Sequence, residues 1–256
     1  MKTKKGLVSV LILNWNTKSF IVECLKCLRV QSYKELEVIV VDNGSTDGSL
    51  EILRKHKKIK FIENKTNVGF AEGNNQALSL SKGEYVLALN ADTTFDKNMI
   101  HDLVGFMKMH PQAGVMQPKL VFMSDPKKLD NVGAFQTWSG IPYYFGLYKD
   151  ARLPKYNQDM QVYSVKGACM MTRRSVIDNV GFLDGKMFAY FEETDFCHRA
   201  WLAGFQCWYT SSVSVNHFVG ATIGHRDSAN FIYYSFRNRI KSYLKNFGID
   251  TLLFLV

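Results

Sequence analysis

Four short apolar runs, each closed by a cluster of small polar residues, constrain this chain most. Residues 7–13, 36–41, 60–62 and 85–89 read as strands. Between and after them, residues 19–30, 46–55, 70–80 and 99–109 carry apolar side chains at helical spacing. In the first helix Phe20, Ile21, Cys24, Leu25 and Leu28 share one face. Ser45 or Thr46 is expected to cap the second. Strands alternating with helices predict an α/β domain with a mostly parallel central sheet covered on both faces. In such sheets ligands bind at the carboxyl ends of the strands. The polar clusters stand there: Asn14-Trp15-Asn16, Asp42-Asn43-Gly44-Ser45, residues 64–67 and Asn90-Ala91-Asp92. All four should meet on one rim.

From about Val115 the pattern changes. Residues 124–160 mix Pro and Gly with Trp138, Tyr143, Tyr144 and Phe145, and read as a long irregular loop region. Beyond it, 162–171 and 213–216 read as strands and 174–180 and 193–203 as helices. Residues 228–247 form a closing amphipathic helix rich in aromatic and basic residues.

With 256 residues, 46% of them hydrophobic, the chain supports one large domain, with or without an appendage. A net charge of +9 calls for anionic partners. No Cys/His finger or RNA-stacking motif accompanies the charge, so no nucleic acid is expected, and diphosphate ligands or a membrane surface fit better. The odd count of five cysteines describes no disulfide framework. Cys24 and Cys27 lack a second CxxC or His pair that would complete a zinc site, and a reducing cytosol fits them. Lys2, Lys4 and Lys5 precede the first apolar run as in a secretory signal, but the run is short, stops at Asn14 and lacks a cleavage site. No segment is long enough to span a bilayer. The apolar end, Leu252 to Val256, suggests continuation into a membrane-associating segment.

Five constellations carry chemistry. Asp92, directly after a strand, either holds a divalent cation beside a diphosphate or caps the following turn. The 42–47 segment either reads a nucleobase edge or is a plain strand-to-helix turn. Residues 67–75 lead into a helix whose first amides favour an anion, without the GxGxxG of dinucleotide enzymes. Glu192, Glu193 and Asp195 stand together at a helix start, flanked by Tyr190, Phe191 and Phe196. Acids there suit the helix dipole, but a partly desolvated one has a raised pKa and serves as a general base. His217, at a strand end, is either structural or a metal ligand.

Taken together, these motifs resemble the family 2 glycosyltransferases and their GT-A nucleotide-sugar-binding fold. The resemblance rests on residues 8–16, on Val40-Val41-Asp42-Asn43-Gly44-Ser45-Thr46-Asp47, on Leu89-Asn90-Ala91-Asp92, on Phe191-Glu192-Glu193-Thr194-Asp195 and on His217. It implies one catalytic domain over 1–227, with a nucleotide-sugar-binding half (1–114), an acceptor-binding half (115–227), and the amphipathic helix over 228–256. Asn14, Asn16, Asp42, Asn43, Asn67, Gly69, Asn74, Asn90 and Ala91 are then expected on the donor. Asp92 and His217 would hold Mg²⁺ or Mn²⁺. Glu193 would deprotonate the acceptor hydroxyl in an inverting transfer, with Gly167, Glu192 and Asp195 on the acceptor side. Glu192 and Asp195 stay open as alternative bases.

Residues 67–75 and Val165-Lys166-Gly167-Ala168-Cys169-Met170 are most similar to a rhamnosyltransferase-like branch, which implies a dTDP-linked deoxyhexose, with UDP-sugars open. The implied acceptor is a glycan or polyprenyl-linked glycan at the inner face of the cell membrane, with the protein cytoplasmic and peripheral there. Two residues depart from the family pattern. Asn90 replaces the first Asp of Asp-x-Asp, and Glu193 replaces an Asp. A nucleotidyltransferase would need a Gly-rich basic loop after the first strand, where Asn14-Trp15-Asn16-Thr17 stands. A catalytically inactive nucleotide- or glycan-binding homologue, which Asn90 favours, is the main rival. A structural membrane-surface protein is a further one.

Overall fold

The computed structural model describes residues 3–138, 140–220 and 229–248. Strand β1 (Lys4–Asn14) is central. It pairs in parallel with β2 (Leu36–Asp42) on one side, from Val8↔Leu36 to Asn14↔Asp42, and β3 (Lys60–Glu63) pairs outside β2. On its other side lies β4 (Gly83–Asn90), also parallel. Val8, Val10, Leu11 and Ile12 are at most 1% exposed, because both faces of the strand are covered. Val8, Val10 and Ile12 pack under α1 (Lys18–Arg29), whereas Leu11 points into the opposite layer. Burying one such side chain stabilises the fold by about 1.5–3 kcal/mol. Helices α2 (Ser49–Lys55) and α3 (Phe70–Ser79) complete the crossovers.

The second half extends the same sheet. After β5 (Thr93–Phe95) and α4 (Met99–Met109) comes β6 (Ala113–Phe122), then β7 (Asp125–Asn131), a small hairpin of β8 (Ala134–Gln136) and β9 (Pro142–Tyr144), and β10 (Met160–Gln161). Strand β11 (Cys169–Arg173) inserts antiparallel between β4 and β6. Helices α5 (Arg174–Val180) and α6 (Glu192–Leu202) follow, then β12 (Gln206–His217) and α7 (Ala229–Asn246). The strand order is β3-β2-β1-β4-β11-β6-β12-β10.

Several boundaries depart from expectation, each for a local reason. Strand β6 crosses the place where the apolar pattern was read as breaking. Pro118 lacks an N–H, and its partner strand β12 absorbs the defect with a register shift between Thr210 and Ser214. That bulge contains Ser211 and Ser212, which is why only 213–216 reads as strand. The 124–160 region, expected to be irregular, holds β7 to β10. Residues 162–168 run along the rim, so the strand expected over 162–171 is reduced to its last residues and extends to Arg173. Helix α2 starts at Ser49, not at Thr46. Ser45 turns back to donate to Asp42, the Thr46 amide donates to Asn16, and Gly48 takes φ 84°. Five free cysteines, four of them buried, agree with the absence of a disulfide framework. Among the described residues no helix is long and apolar enough to cross a membrane. The apolar end at 252–256 lies outside the described residues.

Candidate active site

The strand ends do meet, but in two tiers. In the lower tier Asn14 donates to Asp42 Oδ2 (2.6 Å), Ser45 Oγ (3.1 Å) and Ser49 Oγ (2.9 Å), and accepts from Thr17 Oγ1 (2.6 Å). Asp42 also accepts from the Ser45 amide at 2.8 Å. Both residues are 0% exposed. They lock the two loops together beneath the cleft rather than lining it. Asn16 stands outside with φ 53°, accepting from the Thr46 amide at 2.8 Å.

The upper tier lines an open cleft: Asn43, Asn67, Gly69, Asn90, Ala91 and Asp92 from the expected set, joined by Trp15 and Phe188. Amides shape one wall. Asn43 Nδ2 donates to Asn67 Oδ1 (3.1 Å) and the Gly69 carbonyl (3.2 Å), and Asn64 Nδ2 donates to Asn43 Oδ1 (2.9 Å). Asn74 is buried in α3 and donates to the Phe70 carbonyl. The first amides of α3 do not await an anion: those of Phe70 and Ala71 donate to the Phe188 carbonyl at 2.5 and 3.1 Å. Gly69, at φ 92°, makes that approach possible, since a Cβ there would lie 2.6 Å from the Phe188 ring.

Sheet pairing assembles the next group. His217 on β12 lies opposite Thr93 on β5 and Phe122 on β6, while β7 pairs with β6. His217 Nε2 therefore stands 3.4 Å from Asp92 Oδ1 and 3.5 Å from Asn90 Nδ2, and its Nδ1 lies 2.8 Å from Asp130 Oδ2. Lys166 Nζ in turn lies 2.6 Å from Asp130 Oδ1. Burial alone would raise the Asp130 carboxyl, but Lys166 and His217 hold it well below the usual carboxylate range. Burial opposes the charged form of His217, yet its bonds to Asp130 and Asp92 raise its pKa above the ordinary value. With Nδ1–H assigned to Asp130, Nε2 and the Asp92 carboxylate converge as two acceptors that need a proton or a cation between them. That donor set fits Mg²⁺ or Mn²⁺. Among the described residues no cluster of three acidic, His or Cys side chains completes a cage. Such ions commonly take one or two protein ligands and fill the rest with substrate phosphate and water. Asp130 escaped the sequence reading because it lies in β7, within the region taken for loop.

The acids occupy the far side. Phe188, Tyr190 and Phe191 all have positive φ (64°, 68° and 72°), a strained approach to α6. Asn238 of α7 holds it, with Nδ2 donating to the carbonyls of Met187 (2.7 Å), Ala189 (2.9 Å) and Tyr190 (2.7 Å). The three acids then differ sharply. Asp195 is buried and bonded to Arg199 (2.9 Å), Asn246 (2.8 Å) and Lys245 (3.2 Å). Burial would raise its pKa, but Arg199 and its other partners lower it. Asp195 thus anchors α6 to α7. Glu192 Oε2 and Glu193 Oε2 are shielded from water and without a hydrogen-bond partner. Burial, reinforced for Glu192 by its neighbour Glu193, pushes both above the ordinary carboxylate value. Backbone amides and Lys166 offset this only partly for Glu193. Gly167 faces Glu193 closely: a Cβ on it would lie 3.9 Å from that of Glu193.

The family model for glycosyl transferase family 2 matches residues 9–181. The chain belongs to this family. Among its family 2 relatives, the low-salt glycan biosynthesis hexosyltransferase Agl10 of Haloferax volcanii is 27% identical over 91% of this chain and 74% of its own length. Glycosyltransferase GlyG of Streptococcus pneumoniae is 34% identical over 101 residues, 38% of this chain, which spans only 34% of GlyG. TarS of S. aureus, solved with UDP, superposes with a TM-score of 0.65 at 22% identity, covering 97% of this chain and 69% of that one. The mannosyltransferase PcManGT of Pyrobaculum calidifontis, solved with GDP-Man and Mn²⁺, gives 0.65 at 17% identity over 95% and 64%. These likenesses show a GT-A fold. The Asp92 corner and the Glu192–Glu193 pair are thus features of a family 2 domain.

Proposed function

We propose that this protein transfers a hexosyl group from a nucleoside diphosphate sugar to a hydroxyl of a glycan or lipid-linked glycan, with inversion at the anomeric carbon. One observation carries the reading. The cleft has a carboxylate–imidazole corner on one side, and beyond it a water-shielded carboxylate oxygen without a partner at Glu193. Asn43, Asn67 and Asn90 offer amides to the nucleotide, while Asn14 and Asp42 hold their loops in place from below. Asp92 and His217 would hold Mg²⁺ or Mn²⁺. A divalent cation there neutralises charge developing on the leaving diphosphate. Glu193, its pKa raised, takes the proton as the acceptor oxygen attacks the anomeric carbon from the face opposite the diphosphate. The close backbone at Gly167 leaves room for the sugars beside it.

Relatives solved with UDP, UDP-GlcNAc and GDP-Man support a nucleoside diphosphate donor. The 67–75 and 165–170 segments favour dTDP-rhamnose among the choices, with UDP-sugars next. The basic charge supports a peripheral place at the inner membrane face, where lipid-linked acceptors are found. Thermal shift against UDP, dTDP, GDP and CDP, with and without Mn²⁺, identifies the base, because a ligand of the folded state raises its melting temperature. In a donor-consumption assay, Glu193→Gln should lower turnover by about 100-fold or more while leaving nucleotide binding intact. Unchanged transfer in both Glu193→Gln and Asp92→Ala would overturn the reading. Nucleotide binding without turnover against any acceptor would favour the inactive homologue that Asn90 brings to mind.

A further inference from the structure

Helix α7 is turned inside out. Its buried positions include Asn238 and Ser242, while Ile232, Tyr233, Phe236, Ile240 and Leu244 are 49–67% exposed. Ile232, Phe236, Ile240 and Leu244 follow at four-residue steps and form a single outward stripe about 18 Å long. The inner face is polar for a reason: Asn238 satisfies three loop carbonyls and Asn246 reaches Asp195. Nothing equivalent explains an apolar outer face, and helices in water normally present the reverse arrangement.

The surface does not end with the helix. The Tyr243 hydroxyl donates to the Gly140 carbonyl, which places the β8–β9 hairpin beside α7. That hairpin region exposes Trp138 (91%), Ile141 (52%), Tyr143 (55%) and Tyr144 (42%). Trp and Tyr are the side chains that favour a membrane–water interface. The charge around them has one sign. Helix α7 contains no acidic residue and carries Arg237, Arg239, Lys241 and Lys245. The Arg239 guanidinium lies over the Phe236 ring at 4.6 Å.

We propose that α7 and the β8–β9 hairpin seat the protein on an anionic lipid surface, with the apolar stripe entering the headgroup region. Basic side chains beside an apolar stripe are the pattern of a helix lying in that interface. A second copy of the chain fits less well, since a two-fold contact through this stripe would bring the same basic side chains of both copies together. The position deepens the transferase reading and rests on it for one point, the acceptor. Phe188 stacks on Tyr234 at 5.1 Å and Tyr190 meets Phe231 edge-on at 4.7 Å, so the lipid-facing helix also braces the loop leading to Glu192 and Glu193. A lipid-linked acceptor held in the same bilayer would reach the Glu193 side of the cleft without leaving it.

Sedimentation of the full chain with phosphatidylcholine vesicles, with and without about one-third phosphatidylglycerol, tests the surface independently of catalysis. Binding to the anionic vesicles that weakens with salt is expected. The double variant Phe236→Ser/Ile240→Ser changes only exposed side chains and should weaken it about tenfold or more. Its melting temperature and its nucleotide-induced thermal shift should match the wild type. The proposal is overturned if the wild type stays in the supernatant, or if the variant binds vesicles equally well. It is equally overturned if the wild type forms a dimer that the variant dissolves and neither binds vesicles. Loss of the nucleotide shift in the wild type would instead count against the transferase reading alone.

Discussion

His217 Nδ1 and Asp130 Oδ2 are 2.8 Å apart, although 87 residues separate them in the chain. The bond sets the tautomer and aims Nε2 at Asp92. A carboxylate behind a ligating imidazole orients it and raises its basicity. Asp130→Asn should therefore weaken Mn²⁺ binding about 10–100-fold. A Mn²⁺ titration in the presence of nucleotide, followed by the free-ion EPR signal, checks this. Unchanged affinity would mean that His217 is not a ligand.

The paired acids make activity and stability pH-dependent in opposite senses. Glu193 must be ionised to accept a proton, and burial raises its pKa. The acid limb of kcat/KM should lie above the ordinary carboxylate range, with activity rising through it. Glu192→Gln removes the adjacent negative charge and should move that limb to lower pH, as a pH–rate profile would show.

For stability, the sign follows from the folded Glu192 carboxyl having the higher pKa, raised by burial and by Glu193. Between its ordinary and raised values the folded state binds more protons than the unfolded one. Wild-type stability therefore falls as pH rises through that window, and the penalty is complete above it. Glu192→Gln should melt higher than wild type at pH above the window and lose that advantage below it. Melting curves across pH decide the matter.

Asn238 secures three carbonyls of the loop that carries three positive-φ residues. Asn238→Ala should destabilise the protein by about 1–3 kcal/mol. Turnover should drop more than donor KM changes, because the loop leads to Glu193 rather than to the nucleotide wall. Steady-state kinetics beside a denaturant titration separate the two effects.

Gly69 has no room for a side chain. Gly69→Ala would put Cβ 2.7 Å from the Phe188 carbonyl, at φ 92°. Combined strain and overpacking should destabilise by about 2–4 kcal/mol, measurable as a lower denaturation midpoint.

The sequence by itself determined the elements and the rim. Apolar runs at strand length, interrupted by helical periodicity, dictate β1 to β4 and the helices that follow them, because these patterns arise from neighbours in the chain. The same local order puts Asn43, Asn67, Asn90 and Asp92 at carboxyl ends of strands, where they line one cleft. Only the tertiary structure decided what those residues face. Asn14 and Asp42 look like rim residues in sequence, yet pairing between their loops buries them. Pro118 reads as a break until the bulge in β12 accommodates it. Asp130 reaches His217 only through the β7–β6–β12 ladder, and Glu192, Glu193 and Asp195 separate only once Arg199, Asn246 and Lys245 claim one of them. Periodicity records which face of an element is apolar, but not which distant group will lie against it. For α7 that difference is complete: its carbonyl-bound inner face is polar and its apolar face is turned outward, because the loop before Glu193 needed hydrogen-bond donors.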